Sequence, residues 1–216
     1  LRPDTALCQN APALNVNGTL PIVYPPPPSF SNFQDYQIPF LFGPVFSPIT
    51  VSGVTPAILT ANSIRSVCLN IAHSWDDDID MYLISPGGQY LELSTDNGGS
   101  GDNYTNTCFK PSATKKINFP GPVAPSSAAP FTGDFLPEGE WSDLWDGNYP
   151  ANGVWQLQLR DDGLGNVGNL LDWTITFEPN YKVDYQWTPI VGVNCPTCPV
   201  TTLHPSTSTN YKLYAT

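Results

Sequence analysis

The sequence predicts an all-β protein, and three observations carry that reading. The 216 residues include 24 Pro and 17 Gly with only 12% charged residues, and Thr, Val, Trp and Tyr are plentiful. That mixture suits many short strands joined by turns. No stretch shows helical periodicity. The third observation is strict two-residue alternation within residues 153–177, GVWQLQLRDDGLGNVGNLLDWTITF. Trp155, Leu157 and Leu159 share one face of the first run, opposite Val154, Gln156 and Gln158. Trp173, Ile175 and Phe177 alternate with Thr174 and Thr176 in the second. Such runs are strands with one buried face, and the expectation is an antiparallel pair closing a β-sandwich. The link Asp161-Asp162-Gly163-Leu164-Gly165-Asn166-Val167-Gly168-Asn169 is polar and glycine-rich, able to supply positive φ and oxygen ligands.

The remaining elements follow in order. Residues 1–20 offer two short strand-like pieces with turn chemistry at Asn17-Gly18. Residues 21–28 contain four consecutive prolines, which favour polyproline II and read as a linker. Phe30, Phe33, Tyr36, Phe40, Phe42 and Phe46 are interleaved with prolines and read as a meandering edge packed on the sandwich. ITVSGV from Ile49 is a strand. In residues 66–75, SVCLNIAHSW, the positions Val67, Leu69, Ile71 and His73 share one side.

A formal charge of −11 leaves no basic stripe for phosphates, which excludes nucleic acid as a partner. No apolar run approaches a membrane span, so no membrane insertion is expected. The chain starts LRPDTAL, without an initiator Met or signal peptide, and reads as a processed or excised fragment. Nucleophilic catalysis needs a nucleophile, a base and an orienting group. His73 and His204 are the two histidines, and His73 reads as a core or edge residue. No G-x-S-x-G elbow or phosphate-binding G-x-x-x-x-G-K is present. The expectation is a chain without catalytic activity.

The acidic clusters hold the site chemistry. Asp76, Asp77, Asp78 and Asp80 place four carboxylates in five residues at the start of a strand. Left unpaired they repel one another, and a divalent cation relieves that. Asp96, Asn97, Asp102, Asn103 and the carbonyls around Thr105 would complete an oxygen shell for calcium. Asp161 and Asp162 form a second, weaker cluster, and for both clusters a solvated acidic turn is the competing reading. Trp141, Trp145 and Tyr149 lie near a loop and raise carbohydrate binding, although core or rim packing accounts for the two tryptophans more simply. Of the five cysteines, Cys68 and Cys108 are expected to pair across the sandwich. Cys195 and Cys198, in C-P-T-C, read as a local structural disulfide rather than a redox centre or half a zinc site. Disulfides imply an oxidising compartment. Cys8 remains, with a partner expected beyond Thr216.

Several of these segments form a pattern. His73-Ser74-Trp75 through Asp78-Ile79, Met81, Leu83, Ser85-Pro86 and Gly88, then GGSGDNYTNTCF at 98–109, APFTGDFLP at 129–137, and the two closing strands stand in order over residues 49–177. This series resembles the P domain (P/Homo B) that follows the protease module in proprotein convertases. The resemblance implies an antiparallel jelly-roll-like β-sandwich over residues 22–179, with catalysis residing in a separate subtilisin-like module. Bacterial members often bind calcium, which favours calcium at the Asp76–Asp80 cluster.

The flanks resemble something else. Asp4-Thr5-Ala6-Leu7-Cys8 with Leu14 and Gly18, and later Tyr185, Trp187, Cys195, Cys198, Tyr211 and Tyr214, are similar to the two halves of immunoglobulin-like repeats in large surface adhesins of gliding bacteria exported by the type IX route. Residues 1–21 and 180–216 are therefore expected to form one partial immunoglobulin-like sandwich split by the P-type domain, insertion being tolerated where chain ends lie close together. Residues 1–20 should then pair with strands near 185–187 or 211–214, and pairing of Ala13–Val16 with the carboxy-terminal flank would bury Leu14 and Val16 against Trp187. The function expected is a non-catalytic, calcium-stabilised spacer or adhesion module of a secreted cell-surface protein. Its partners would be neighbouring modules of the same polypeptide, with a surface polysaccharide, a protein ligand or the secretion machinery beyond them. The alternative is an accessory domain that stabilises or regulates a subtilisin-like protease.

Overall fold

The structure, a computed structural model, describes residues 13–18, 24–40, 43–180 and 183–216. In chain order the strands are β1 (Leu14–Asn17), β2 (Ser29–Asn32), β3 (Tyr36–Ile38), β4 (Val45–Val51), β5 (Ile64–Ala72), β6 (Ile79–Ile84), β7 (Tyr90–Ser94), β8 (Tyr104–Phe109), β9 (Phe131–Phe135), β10 (Gly153–Asp161), β11 (Gly168–Phe177), β12 (Tyr185–Thr188), β13 (Val200–Leu203) and β14 (Lys212–Ala215). Among the described residues, the α-helical content is one turn, α1 (Ser142–Trp145). The chain divides into two compact units, Pro26–Asn180 on the one hand and Leu1–Pro25 with Tyr181–Thr216 on the other.

The larger unit is a β-sandwich. One sheet runs β4-β10-β6-β7, and the other runs β2-β11-β5-β8-β9 with β3 also paired to β11. All pairings are antiparallel except β8 with β9, which is parallel. Alternation in β10 sends Trp155, Leu157 and Leu159 inward, each fully buried, and leaves Gln156, Gln158 and Arg160 on the outer face. Trp155 and Phe177 from the opposite sheet meet edge to face with centroids 6.0 Å apart. Two of the core indoles keep their polar atom satisfied, Trp155 donating to the Ala151 carbonyl and Trp173 to Ser47 Oγ, each at 2.9 Å, whereas Trp141 Nε1 is buried without a hydrogen-bond partner. Burying one such ring contributes roughly 4–6 kcal/mol of gross hydrophobic free energy.

Two sequence expectations need correction here. The runs at 153–161 and 168–177 do not pair with each other. β10 lies between β4 and β6, whereas β11 lies in the opposite sheet beside β5. Two-residue alternation reports which face a strand buries but carries no information about its neighbour. Cys68 and Cys108 do form a disulfide, yet not across the sandwich. They sit opposite each other on adjacent strands β5 and β8 of one sheet, their Cα atoms 4.0 Å apart.

The proline-aromatic stretch is an edge, as its composition suggests. β2 and β3 both lie along β11, and Phe30 packs edge-on against Phe177 at 6.1 Å. Phe33, expected to pack on the sandwich, instead stands 77% exposed, and Phe42 lies outside the described residues.

In the smaller unit, β1 pairs with β13 and β12 with β14. The sequence expectation paired Ala13–Val16 with the carboxy-terminal flank, and placed the partner of residues 1–20 near 185–187 or 211–214. The observed partner is Val200–Leu203, extended by the Gly18 amide donating to the Pro199 carbonyl at 2.8 Å. Leu14 and Val16 stay half-exposed, and the buried residues of this unit include Trp187 and Leu203. Trp187 Nε1 donates to the Cys198 carbonyl at 2.9 Å, beside the Cys195–Cys198 disulfide. Cys8 and the Asp4–Leu7 stretch lie outside the described residues.

Candidate metal centre

The acidic run after β5 does not act as one cluster. A 3₁₀ turn, Asp76–Asp78, joins β5 to β6 and sends successive carboxylates in different directions. Asp76 points inward and is fully buried. Asp78 packs against Gly163, where any added Cβ would collide with its carboxylate, and its backbone carbonyl accepts from the Asp162 amide at 3.0 Å. Asp80 lies on the outer face of β6, with Arg160 of β10 at 3.9 Å. Among the described residues, no three His, Cys, Asp or Glu side chains converge in metal-binding geometry.

Asp76 is the exceptional member. Both its carboxylate oxygens are buried without a hydrogen-bond partner. Its turn is held by the glycine loop: the Asp76 amide donates to Gly101 O at 2.9 Å and the Asp77 amide to Gly99 O at 3.3 Å. Gly98 has φ +97°, and a Cβ there would fall 2.7 Å from Asp76 Cβ and 2.8 Å from the Phe131 ring. Only glycine lets this loop close over the carboxylate. Burial pushes the Asp76 carboxyl up to about 7, opposed by the Asn103 backbone amide and reinforced by Asp102. That amide is spent on the His73 carbonyl at 3.0 Å, so it offers little relief. A buried carboxylate without donors costs several kcal/mol when ionised. It either stays protonated or takes a cation, and a carboxylate among backbone carbonyls is oxygen chemistry of the kind a hard divalent ion accepts.

The sequence candidates around it are placed unequally. Asp102 bears on Asp76 electrostatically. Asn103 uses its Oδ1 to accept from the His73 amide at 3.0 Å, and Thr105 is exposed at the start of β8. Asn97, fully buried, braces the loop instead. Its Oδ1 accepts from the Ala124 amide at 2.7 Å, and its Nδ2 reaches Ser94 Oγ, the Thr95 carbonyl and Glu138 Oε1. Asp96 belongs with Asp80: burial raises both carboxyls, Asp80 to about 6, and Asp162 is the next cause for each. Those three form a separate acidic neighbourhood near the outer sheet face.

Asp161 is separated from Asp162 by the pleat. It closes β10 on the inward face, fully buried, and meets His73 Nε2 at 3.3 Å through Oδ2. His73 Nδ1 lies 2.7 Å from the Trp75 carbonyl. The imidazole is therefore enclosed between two oxygens inside the fold, a pair that the sequence reading missed. Its signal was available: Asp161 continues the inward alternation Trp155, Leu157, Leu159, and His73 continues Val67, Leu69, Ile71.

This arrangement has relatives. The sequence profile of the proprotein convertase P-domain matches residues 65–177. That is more than half of the chain. The chain belongs to the proprotein convertase P-domain family. It is also 30% identical over 180 residues to leupeptin-inactivating enzyme 1 of Streptomyces exfoliatus, covering 81% of this chain and 32% of that protein. The chain thus spans about a third of that relative's length. The P-domain match runs from the second residue of β5 to the end of β11, and so holds Asp76, its glycine loop, and the His73–Asp161 pair together.

Proposed function

We propose that this chain supplies a non-catalytic, calcium-stabilised P-domain module to a secreted multidomain protein. The single observation behind the calcium is Asp76, a buried carboxylate with two unpartnered oxygens beneath a glycine loop. Calcium accepts carbonyl and carboxylate oxygens in flexible geometry, so Asp76, Asp102 and loop carbonyls between Gly98 and Gly101 would hold it. For a non-catalytic role, the support is that His73 is enclosed in the core, with both ring nitrogens against oxygen atoms. Two disulfides accord with an oxidising, extracellular setting. The longer relative is named as an enzyme and extends well beyond the matched region. That favours an accessory role in which the module stabilises a catalytic part elsewhere in the full protein.

A spacer or adhesion role at the cell surface is the second reading. It rests on the smaller unit, in which chain from both ends joins through β1 and β13, as a split immunoglobulin-like module would. Calcium titration of the intact chain tests the shared core of both readings. Added calcium should raise Tm and give measurable heat of binding, and Asp76→Ala should abolish both, as expected when an ion binds only the native state. No heat, with Tm indifferent to calcium and to EDTA, would refute the calcium assignment.

A further inference from the structure

The outer face of the β4-β10-β6-β7 sheet is unlike an ordinary solvated face. The strand registers place Phe46, Gln158, Tyr82 and Glu92 in one row across all four strands. The next row carries Pro48, Gln156, Ile84 and Tyr90, and Arg160 stands opposite Asp80 in the row on the other side. Asp80, Tyr82, Tyr90, Gln158 and Arg160 line a shallow cavity of about 310 Å³ there. That lies at the small end of the roughly 300–1,000 Å³ typical of ligand sites. Tyr90 is 54% exposed and Phe46 41%, large rings offered to solvent on a rigid sheet.

We propose that this groove is a glycan-binding site for an uncharged sugar chain, with Tyr82 and Tyr90 as stacking platforms and Gln158, Asp80 and Arg160 as hydroxyl partners. The lining chemistry selects this class. Sugar rings present an apolar C–H face beside hydroxyls that both donate and accept. The groove supplies aromatic faces, an amide of both polarities, a carboxylate and a guanidinium within one cavity. An anionic ligand would meet Asp80 and Glu92 against the single cation Arg160. A basic ligand would be drawn by Asp80 with Asp96 and Asp162 beside it, but it would leave the tyrosine faces and the Gln158 amide unused, while Arg160 faces Asp80 at 3.9 Å and Tyr82 Oη donates to Glu92 Oε1 at 3.4 Å. A purely apolar partner would strand the amide and the ion pair. The sheet fixes these groups on neighbouring strands, so little is lost in ordering them on binding. Trp141 and Trp145, the aromatics that suggest sugar binding by sequence, are instead stacked on each other at 6.1 Å against the core.

The inference does not depend on the calcium reading. Affinity electrophoresis of the intact chain in native gels containing hydroxyethylcellulose, laminarin or soluble starch tests it, with a lysine–arginine peptide in solution as a rival ligand. At least one glucan should retard the protein. Tyr90→Ala and Gln158→Ala should each weaken the retardation by about tenfold or more in apparent affinity, the factor equivalent to 1.4 kcal/mol. Trp145→Ala should leave it unchanged. Both groove substitutions sit on the solvent face, and unchanged Tm shows that they fold. Retardation by none of the three glucans overturns the proposal, as does retardation that survives both groove substitutions. Binding of the basic peptide that Tyr90→Ala and Gln158→Ala weaken, without glucan retardation, overturns the proposal and assigns the face to a cationic protein segment instead.

Discussion

With its carboxyl held at about 7 by burial, Asp76 makes stability depend on pH in a direction set by the cation. Without one, the folded state binds a proton that the unfolded chain, with a carboxyl near 3.8, releases earlier. That contribution is fully present below pH 4 and is lost as pH rises through 7. In EDTA, the unfolding free energy should therefore fall between pH 4 and 8 by an amount on the order of a few kcal/mol, and Tm should fall with it. Asp80, raised to about 6, adds a smaller fall in the same direction. Asp76→Asn should flatten the profile and raise Tm in EDTA at pH 8. In saturating calcium the order should reverse, because the bound ion holds Asp76 ionised and the amide binds calcium poorly. Thermal melts of the two proteins with and without calcium check this crossover. A variant less stable than wild type in both conditions would point to packing rather than charge.

At the scale of elements, the β5–β8 pair is tied twice, by its ladder and by Cys68–Cys108. The cysteines are 40 residues apart in sequence, and a loop of that length constrains the unfolded chain by about 4 kcal/mol in the chain-entropy account. Cys68→Ser with Cys108→Ser should lower unfolding free energy by about that amount in urea titrations, and wild type and double variant compared under the same reducing conditions, which also open Cys195–Cys198, should match. The β10 strand tests the sandwich core. Trp155→Ala removes a fully buried ring that touches the opposite sheet and should cost about 3–5 kcal/mol. Val154→Ala, one residue away on the outer face, should change stability by less than about 0.5 kcal/mol.

For the whole molecule, the two compact units carry separate cores. The larger has Trp155, Trp173, Phe177 and their neighbours, and the smaller has Trp187 with Leu203. Residues 26–180 expressed alone should unfold in one cooperative transition, with a Tm within a few degrees of the matching transition in the intact chain. Trp187→Ala should disturb the smaller unit and leave that transition where it was. Differential scanning calorimetry separates the outcomes, and loss of cooperative folding by 26–180 would contradict an independent sandwich.

Much of this architecture was written into local pattern. Period-two alternation in 153–159 and 173–177 marked the strands and their buried faces, because a strand's side chains must alternate whatever it pairs with. The ordered run from His73 to Pro137 marked the P domain, and the cysteines their partners. Pairing across the fold is another matter. Whether β10 joins β11 or crosses to the other sheet, and whether β1 meets β12 or β13, depends on contacts between distant segments that alternation does not encode. The acidic site shows the same division. Four aspartates within residues 76–80 look alike in sequence, but a 3₁₀ turn and the strand pleat send one into the core, one onto Gly163 and one to the outer sheet face. Only the tertiary structure decides which carboxylate is desolvated, and desolvation is what makes Asp76 chemically different from its neighbours.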